Sequence, residues 1–175
     1  RDERARPAAA RRKPALVQRK RNPEATRADI LAVATLEFAV HGYSGARVDR
    51  IAARMKSTKV MLYYYYRNKS ELYRCVLREC YQAIRLKERA LDLAGLSPIQ
   101  AFGAIIAFNF NHHIENENFI RIVMSENVLM GRNIANVPNL QEENASVISL
   151  LRDICASGAA DGSMRADIDP VDLHM

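Results

Sequence analysis

A chain of 175 residues, 49% of them hydrophobic, can bury one core of fair size or a small domain fused to a larger one. No apolar run reaches the roughly 18 residues of a membrane-spanning helix, and Pro7 and Pro14 break a charged N-terminus; neither a membrane span nor a secretory signal is expected, and a cytoplasmic address is the default expectation. The net charge of +6 divides unevenly, with +13 on residues 1–90 and −7 on residues 91–175, so the first half suits a polyanion and the second would repel one.

Residues 1–22 carry nine Lys and Arg against Asp2 and Glu3, with no periodic apolar pattern. They read as a flexible basic arm, either a solubilising tail or a segment that reaches phosphates or the minor groove. A first helix is predicted from Thr26, whose hydroxyl with Asp29 fits a capping box. Ile30, Leu31, Ala34 and Phe38 form its buried face, and Gly42 suits a left-handed stop. A short second helix covers about 48–54, with Val48, Ile51, Ala52 and Met55 as its apolar side. After a tight connection through Lys56 and Ser57, Thr58 caps a third short helix to about Tyr65. Asn68-Lys69-Ser70-Glu71 opens a fourth, with Leu72, Tyr73, Val76, Leu77 and Ile84 inward, running to about Leu93.

Gly95 and Ser97-Pro98 mark the next break, Pro98 standing as a first-turn proline. Helical patterns return at 98–113, 117–131 and 141–157, with Gly131 to Pro138-Asn139 as a loop and an aperiodic tail from Gly158 to Pro170. No strand-like alternation persists, so the fold class is all-α. Cys75, Cys80 and Cys155 form no CxxC pair, and their odd number favours buried free thiols over a disulfide framework.

The informative stretch is VDRIAARMKSTKVMLYYYY, from Val48 to Tyr66. Two short helices joined by a tight turn are what a helix-turn-helix uses to set its second helix in the major groove. Ala52 and Ala53 permit close helix approach, and Thr58, Lys59 and Met61 fall on the first turn of the second helix. No Gly-rich phosphate loop, GxSxG elbow, HExxH or paired-carboxylate motif appears, so no enzyme chemistry and no cofactor are expected.

From Thr26 to about Val76 the chain resembles the TetR family of one-component transcriptional regulators. The resemblance is carried by T-R-x-x-I-L at Thr26–Leu31, F-x-x-x-G-Y at Phe38–Tyr43, V-D-x-I-A-A-R at Val48–Arg54, K-x-M-L-Y-Y-Y at Lys59–Tyr65 and N-K-S-E-L at Asn68–Leu72. It implies a helix-turn-helix DNA-binding head over 23–69 and a helical effector-binding and dimerisation body over 70–175. It also implies one or two further helices beyond Met175. Carried over by position, Thr58, Lys59, Val60 and Met61 face base edges and nearby phosphates. Arg47, Tyr63, Tyr64 and Lys69 hold the backbone, and Thr26 joins the contact set from the first helix. Tyr63 and Tyr66 are expected to be part-buried and Tyr64 exposed. Two positions depart from the family pattern: Lys56 replaces a usual Gly in the turn, where positive φ would strain it, and Glu37 replaces a usual apolar residue.

Beyond about residue 95 the resemblance thins to helicity and acidity. Phe102, Ile105, Ile106, Phe108, Phe110, Phe119, Ile122, Met124 and Met130 supply core, some of which would wall a ligand cavity in this family. Phe102, Ile106, Phe110, His113, Met124 and Asn127 are the residues assigned to it, with His112 and Asn109 as further polar groups. Adjacent His112 and His113 diverge on a helix, so no metal site is assigned. Val147, Ile148, Leu151 and Ile154 are expected as exposed apolar surface of an incomplete dimer interface.

The expected partners are double-stranded DNA with a palindromic operator, a second copy of the chain and an unknown small-molecule effector. The expected function is a repressor released from its operator by that effector. The alternative is an architectural helical protein that touches DNA without sequence preference through the basic arm.

Overall fold

The computed structural model describes residues 22–174, so all but the last residue of the basic arm lies outside it. Every regular element among the described residues is helical. In chain order they are α1 (Pro23–Gly45), α2 (Val48–Arg54), α3 (Lys59–Tyr65), α4 (Lys69–Arg89), α5 (Pro98–Glu115), α6 (Glu117–Val128), a 3-10 turn (Ile134–Asn136), α7 (Leu140–Ala160) and α8 (Pro170–His174).

Local signals set most of the boundaries. Ser97 and Gln100 close a reciprocal capping box on α5 with Pro98 in its first turn. Asn68 accepts from the Glu71 amide at 2.8 Å and starts α4, while the Glu71 carboxylate reaches back to the Arg67 amide. At α1 the expectation is corrected. The helix begins at Pro23, and the cap is Asn22, whose side chain accepts from the Glu24 amide. Proline at the first helical position and an Asn before it are together a stronger start than the Thr26 box. The same helix breaks at Gly42 (φ 61°, ψ 179°), a region open only to glycine, before one more turn to Gly45.

Two cores result. The larger joins Ile30, Ala34 and Phe38 of α1, Val48, Ile51 and Ala52 of α2, Leu62 of α3 and the inner face of α4 to Ile122 of α6, with Val137 and Leu140. The smaller packs Ala101 and Ile105 of α5 on Val147, Leu151 and Ile154 of α7. Val147, Leu151 and Ile154 are thus buried rather than exposed, because α5 turns its small face onto them. Tyr73 lies at the centre of the larger core, its ring between Phe38 at 4.7 Å and Tyr43 at 5.0 Å. Helix α6 runs along α1, so the head and the helix behind it share one packed interior.

Candidate nucleic-acid interface

Helix α2 turns Val48, Ile51 and Ala52 inward, then ends in a Schellman pattern. The Ser57 amide donates to the Ala52 carbonyl at 2.9 Å and the Lys56 amide to Ala53 at 3.1 Å. Lys56 takes the left-handed position at φ 50°. The turn therefore keeps its shape with a lysine where glycine would be free of strain. Thr58 follows as N-cap, its hydroxyl accepting from the Met61 amide at 3.2 Å.

Helix α3 buries a single residue, Leu62, in the head. Tyr65 is half-buried against the same core, and the other large side chains face outward: Val60 is 79% exposed, Met61 47%, Tyr63 41% and Tyr64 80%. A seven-residue helix held by Leu62 and Tyr65 and showing water two aliphatic and two phenolic side chains is built to meet something. Tyr64 is exposed as expected, whereas Tyr63 is more exposed and Tyr66 more buried than expected. Tyr66 donates its hydroxyl to the Arg27 carbonyl at 3.2 Å, and burial pushes its pKa up to about 12. The Arg27 guanidinium lies over the Tyr65 and Tyr66 rings, closing the end of α3 onto α1.

The remaining assigned residues fall around this helix. Lys59 opens it and pairs with Asp49 of α2 at 2.7 Å. Arg47 is exposed at the start of α2. Lys69 donates to the Ser44 carbonyl at 3.2 Å and lies over the Tyr43 ring, and partial burial lowers its pKa. Thr26 stands apart: it is buried, and its hydroxyl is spent on the Asn22 carbonyl, so it has no free donor for a phosphate.

Three residues that shape this surface are absent from the assigned contacts. Glu37 of α1 is fully buried and accepts from the Arg47 amide at 3.0 Å, capping α2 where Arg47 itself offers no oxygen. Arg50 joins its Nε to the same carboxylate at 3.0 Å and donates to the Gly45 carbonyl at 2.9 Å. Asp49 holds Lys59. The signal available for Glu37 is a charged residue on an apolar face ten positions before a helix start with no capping residue.

In the body, most of the residues assigned to a ligand cavity lie at the surface. Phe102 is half-buried, but Ile106, Phe110, His113, Met124 and Asn127 are exposed. Helix α5 is apolar on both sides, and the side facing α7 is the one carrying Ala101 and Ile105. Ile106 and Phe110 lie on the other side and enclose nothing. A groove of about 720 Å³ runs between α1 and α4 past Leu31, Tyr66 and Cys75. Polar groups are nevertheless buried in the body. Arg85 pairs with Glu88 and donates to Asn144 at 3.1 Å. His112, among Phe108, His113 and Phe119, meets the Asn116 amide at 3.1 Å. No three metal-ligating side chains gather among the described residues, and no described helix is long and apolar enough to cross a membrane.

Comparison with known proteins agrees with this geometry. The family model for bacterial regulatory proteins of the tetR family matches residues 30–76, and that for the tetracyclin repressor-like C-terminal domain matches 98–175. The HTH-type transcriptional repressor NicS of Pseudomonas putida is 31% identical over 150 residues, covering 86% of this chain and 71% of that protein. The HTH-type transcriptional repressor SCO4008 of Streptomyces coelicolor is 35% identical over 138 residues, 76% of this chain and 66% of that one. Among solved structures, the transcriptional regulator SCO4942 from Streptomyces coelicolor superposes with a TM-score of 0.62 at 31% identity, over 85% of this chain and 73% of that one. With two family models, repressor relatives and a helix-turn-helix in place, the chain belongs to the TetR family of DNA-binding transcriptional regulators.

Proposed function

We propose that the chain acts as a homodimeric repressor that grips a palindromic operator through α3 and releases it when a small molecule occupies the body. The head is 23–69 and the body 70–175. Thr58, Lys59, Val60 and Met61 face the base edges, and Arg47, Tyr63, Tyr64 and Lys69 hold the phosphates on either side. The observation that carries this reading is the outward display of α3, which buries Leu62, packs Tyr65 against the core and turns Val60, Met61, Tyr63 and Tyr64 outward. The two heads of a dimer must meet half-sites about 34–36 Å apart, so a small swing of α4 is enough to weaken binding.

The packing supports a route for that swing. A Cβ on Gly42 of α1 would come within 3.0 Å of the Ser125 hydroxyl of α6, so the two helices touch with no slack. The Glu126 carboxylate, fully buried next along α6, accepts from the Asn133 and Ile134 amides at 2.6 and 3.0 Å. A ligand that moves α6 or the loop after it acts on α1 through these contacts, and its leverage equals its differential affinity for the two arrangements.

The test is enrichment of duplexes from a randomised pool, followed by titration of the selected and an arbitrary duplex at two salt concentrations. A preference of roughly 10³-fold that persists as salt rises supports sequence reading. Equal, steeply salt-dependent binding to both duplexes would reject it in favour of a protein that coats DNA through its basic arm.

A further inference from the structure

We infer that Asp49 is a specificity-determining residue, which acts by holding Lys59 and so works against non-specific DNA binding. The inference rests on the placement of α3 in the groove proposed above. Lys59 is the first residue of α3 and Asp49 the second of α2, and Nζ lies 2.7 Å from Oδ1. The side chains are 47% and 53% exposed, so the pair lies open to solvent between the two helices of the motif. An exposed pair of this kind contributes little to stability. Its effect is on where the charge can go.

A free lysine at this position is a mobile point charge with three donors, able to reach any passing phosphate. With Asp49 beside it, reaching a phosphate means leaving the carboxylate uncompensated against a polyanion. That repulsion opposes every non-specific complex in which Lys59 contacts the backbone. At a fitting site Lys59 need not leave. Its remaining N–H groups can donate to a groove acceptor such as guanine O6 or N7 while one stays on Asp49. Asp49 therefore lowers affinity for arbitrary DNA more than for the operator.

The experiment compares D49N, D49E, K59A and D49N/K59A with the unsubstituted protein. Each is titrated across a salt series with a duplex enriched by the unsubstituted protein and with one of arbitrary sequence. D49N is expected to bind the arbitrary duplex about 3- to 10-fold tighter per head and to steepen its log–log salt slope by about 0.9. The selected-to-arbitrary preference falls accordingly, D49E restores both values, and D49N changes neither in the K59A background. Tightening of the same size with and without Lys59 would mean that only the deleted charge matters, and would overturn the inference alone. Unchanged affinity and slope in D49N would overturn it as well. If K59A leaves both duplexes bound as before, the placement of Lys59 at the DNA fails, and the inference with it.

Discussion

The Glu37 carboxylate of α1 accepts the backbone N–H of Arg47 at 3.0 Å, supplying from ten residues away the cap that α2 does not carry itself. It is fully buried, and it also holds Arg50 at 3.0 Å, with His41 at 3.8 Å. Removing it leaves an orphan amide at the start of the helix-turn-helix and a guanidinium without its anion. Glu37→Ala is expected to destabilise the chain by about 2–3 kcal/mol, the range for a lost hydrogen bond to a charged group with its partner left behind. Glu37→Gln, which keeps an acceptor, is expected to cost about half of that. Urea unfolding of the two variants gives the comparison, and equal midpoints for Ala and wild type would dismiss the cap.

This contact also marks a limit of what the sequence discloses. Two caps made over three residues are legible: Thr58 holds the Met61 amide and Asn68 the Glu71 amide. The resemblance places the helix-turn-helix on its correct elements for the same reason, since short-range spacing defines it. Glu37 looks like a misplaced charge in the sequence because its partner is separated by a helix end and a turn. The Thr26 box misleads because Asn22-Pro23 outcompetes it, proline being tolerated only in the first turn of a helix. In the body, periodicity alone leaves α5 ambiguous. With Phe102, Ile105, Ile106 and Phe110 around the helix, only the arrival of α7 on Ala101 and Ile105 decides which side is core.

Gly42 stands where α1 breaks and where Ser125 of α6 lies against it. Its φ of 61° with ψ of 179° is inaccessible to L-residues without strain, and an added Cβ would meet the Ser125 hydroxyl at 3.0 Å. Gly42→Ala is expected to lose about 1–3 kcal/mol. Combining it with Ser125→Ala removes the contact but not the backbone strain, so only a minor part should return. Full recovery in the double variant, read from thermal melts, would assign the cost to the contact alone.

Lys56 offers the opposite change. Its left-handed conformation at φ 50° costs a non-glycine residue energy that glycine does not bear. Lys56→Gly keeps both Schellman hydrogen bonds and is expected to stabilise the head by about 0.5–1 kcal/mol. It also deletes an exposed positive charge beside α3, so DNA affinity should not rise with stability. Parallel denaturation and DNA titration separate the two effects; a melting temperature that falls would refute the strain.

His112 makes stability depend on pH. Burial first, then the charges of Lys87 and His113, hold its pKa below the ordinary histidine value, and the Asn116 amide donates toward Nδ1. The folded protein therefore resists a proton that the unfolded chain accepts at about pH 6.5. Above that pH both states are neutral and the group contributes no slope. As pH falls through about 6.5 the unfolded state gains protons first, and stability declines until the lower folded pKa is passed. His112→Gln should flatten the decline in stability that sets in as pH falls through about 6.5. A slope unchanged by the substitution would place the titration elsewhere.

Leu62 and Tyr64 lie two residues apart on α3 with opposite duties, which allows folding and DNA binding to be separated on one short helix. Leu62 is 1% exposed in the core shared with α1, α2 and α4, and Leu62→Ala should cost about 2–5 kcal/mol, unfolding the head and abolishing binding with it. Tyr64 is 80% exposed, its ring meeting Tyr65 edge-on at 5.3 Å. Tyr64→Ala should leave the melting temperature within the roughly 0.5 kcal/mol spread of surface substitutions. Its effect belongs to the complex, where the phenol hydroxyl donates to a phosphate oxygen. Tyr64→Phe isolates that bond, because it keeps the ring and removes only the donor. Weakening of operator binding by both variants, with α3 still folded by circular dichroism, assigns Tyr64 to the DNA. Full affinity in Tyr64→Ala would take Tyr64 out of the interface and confine it to the first turn of α3, around Val60 and Met61.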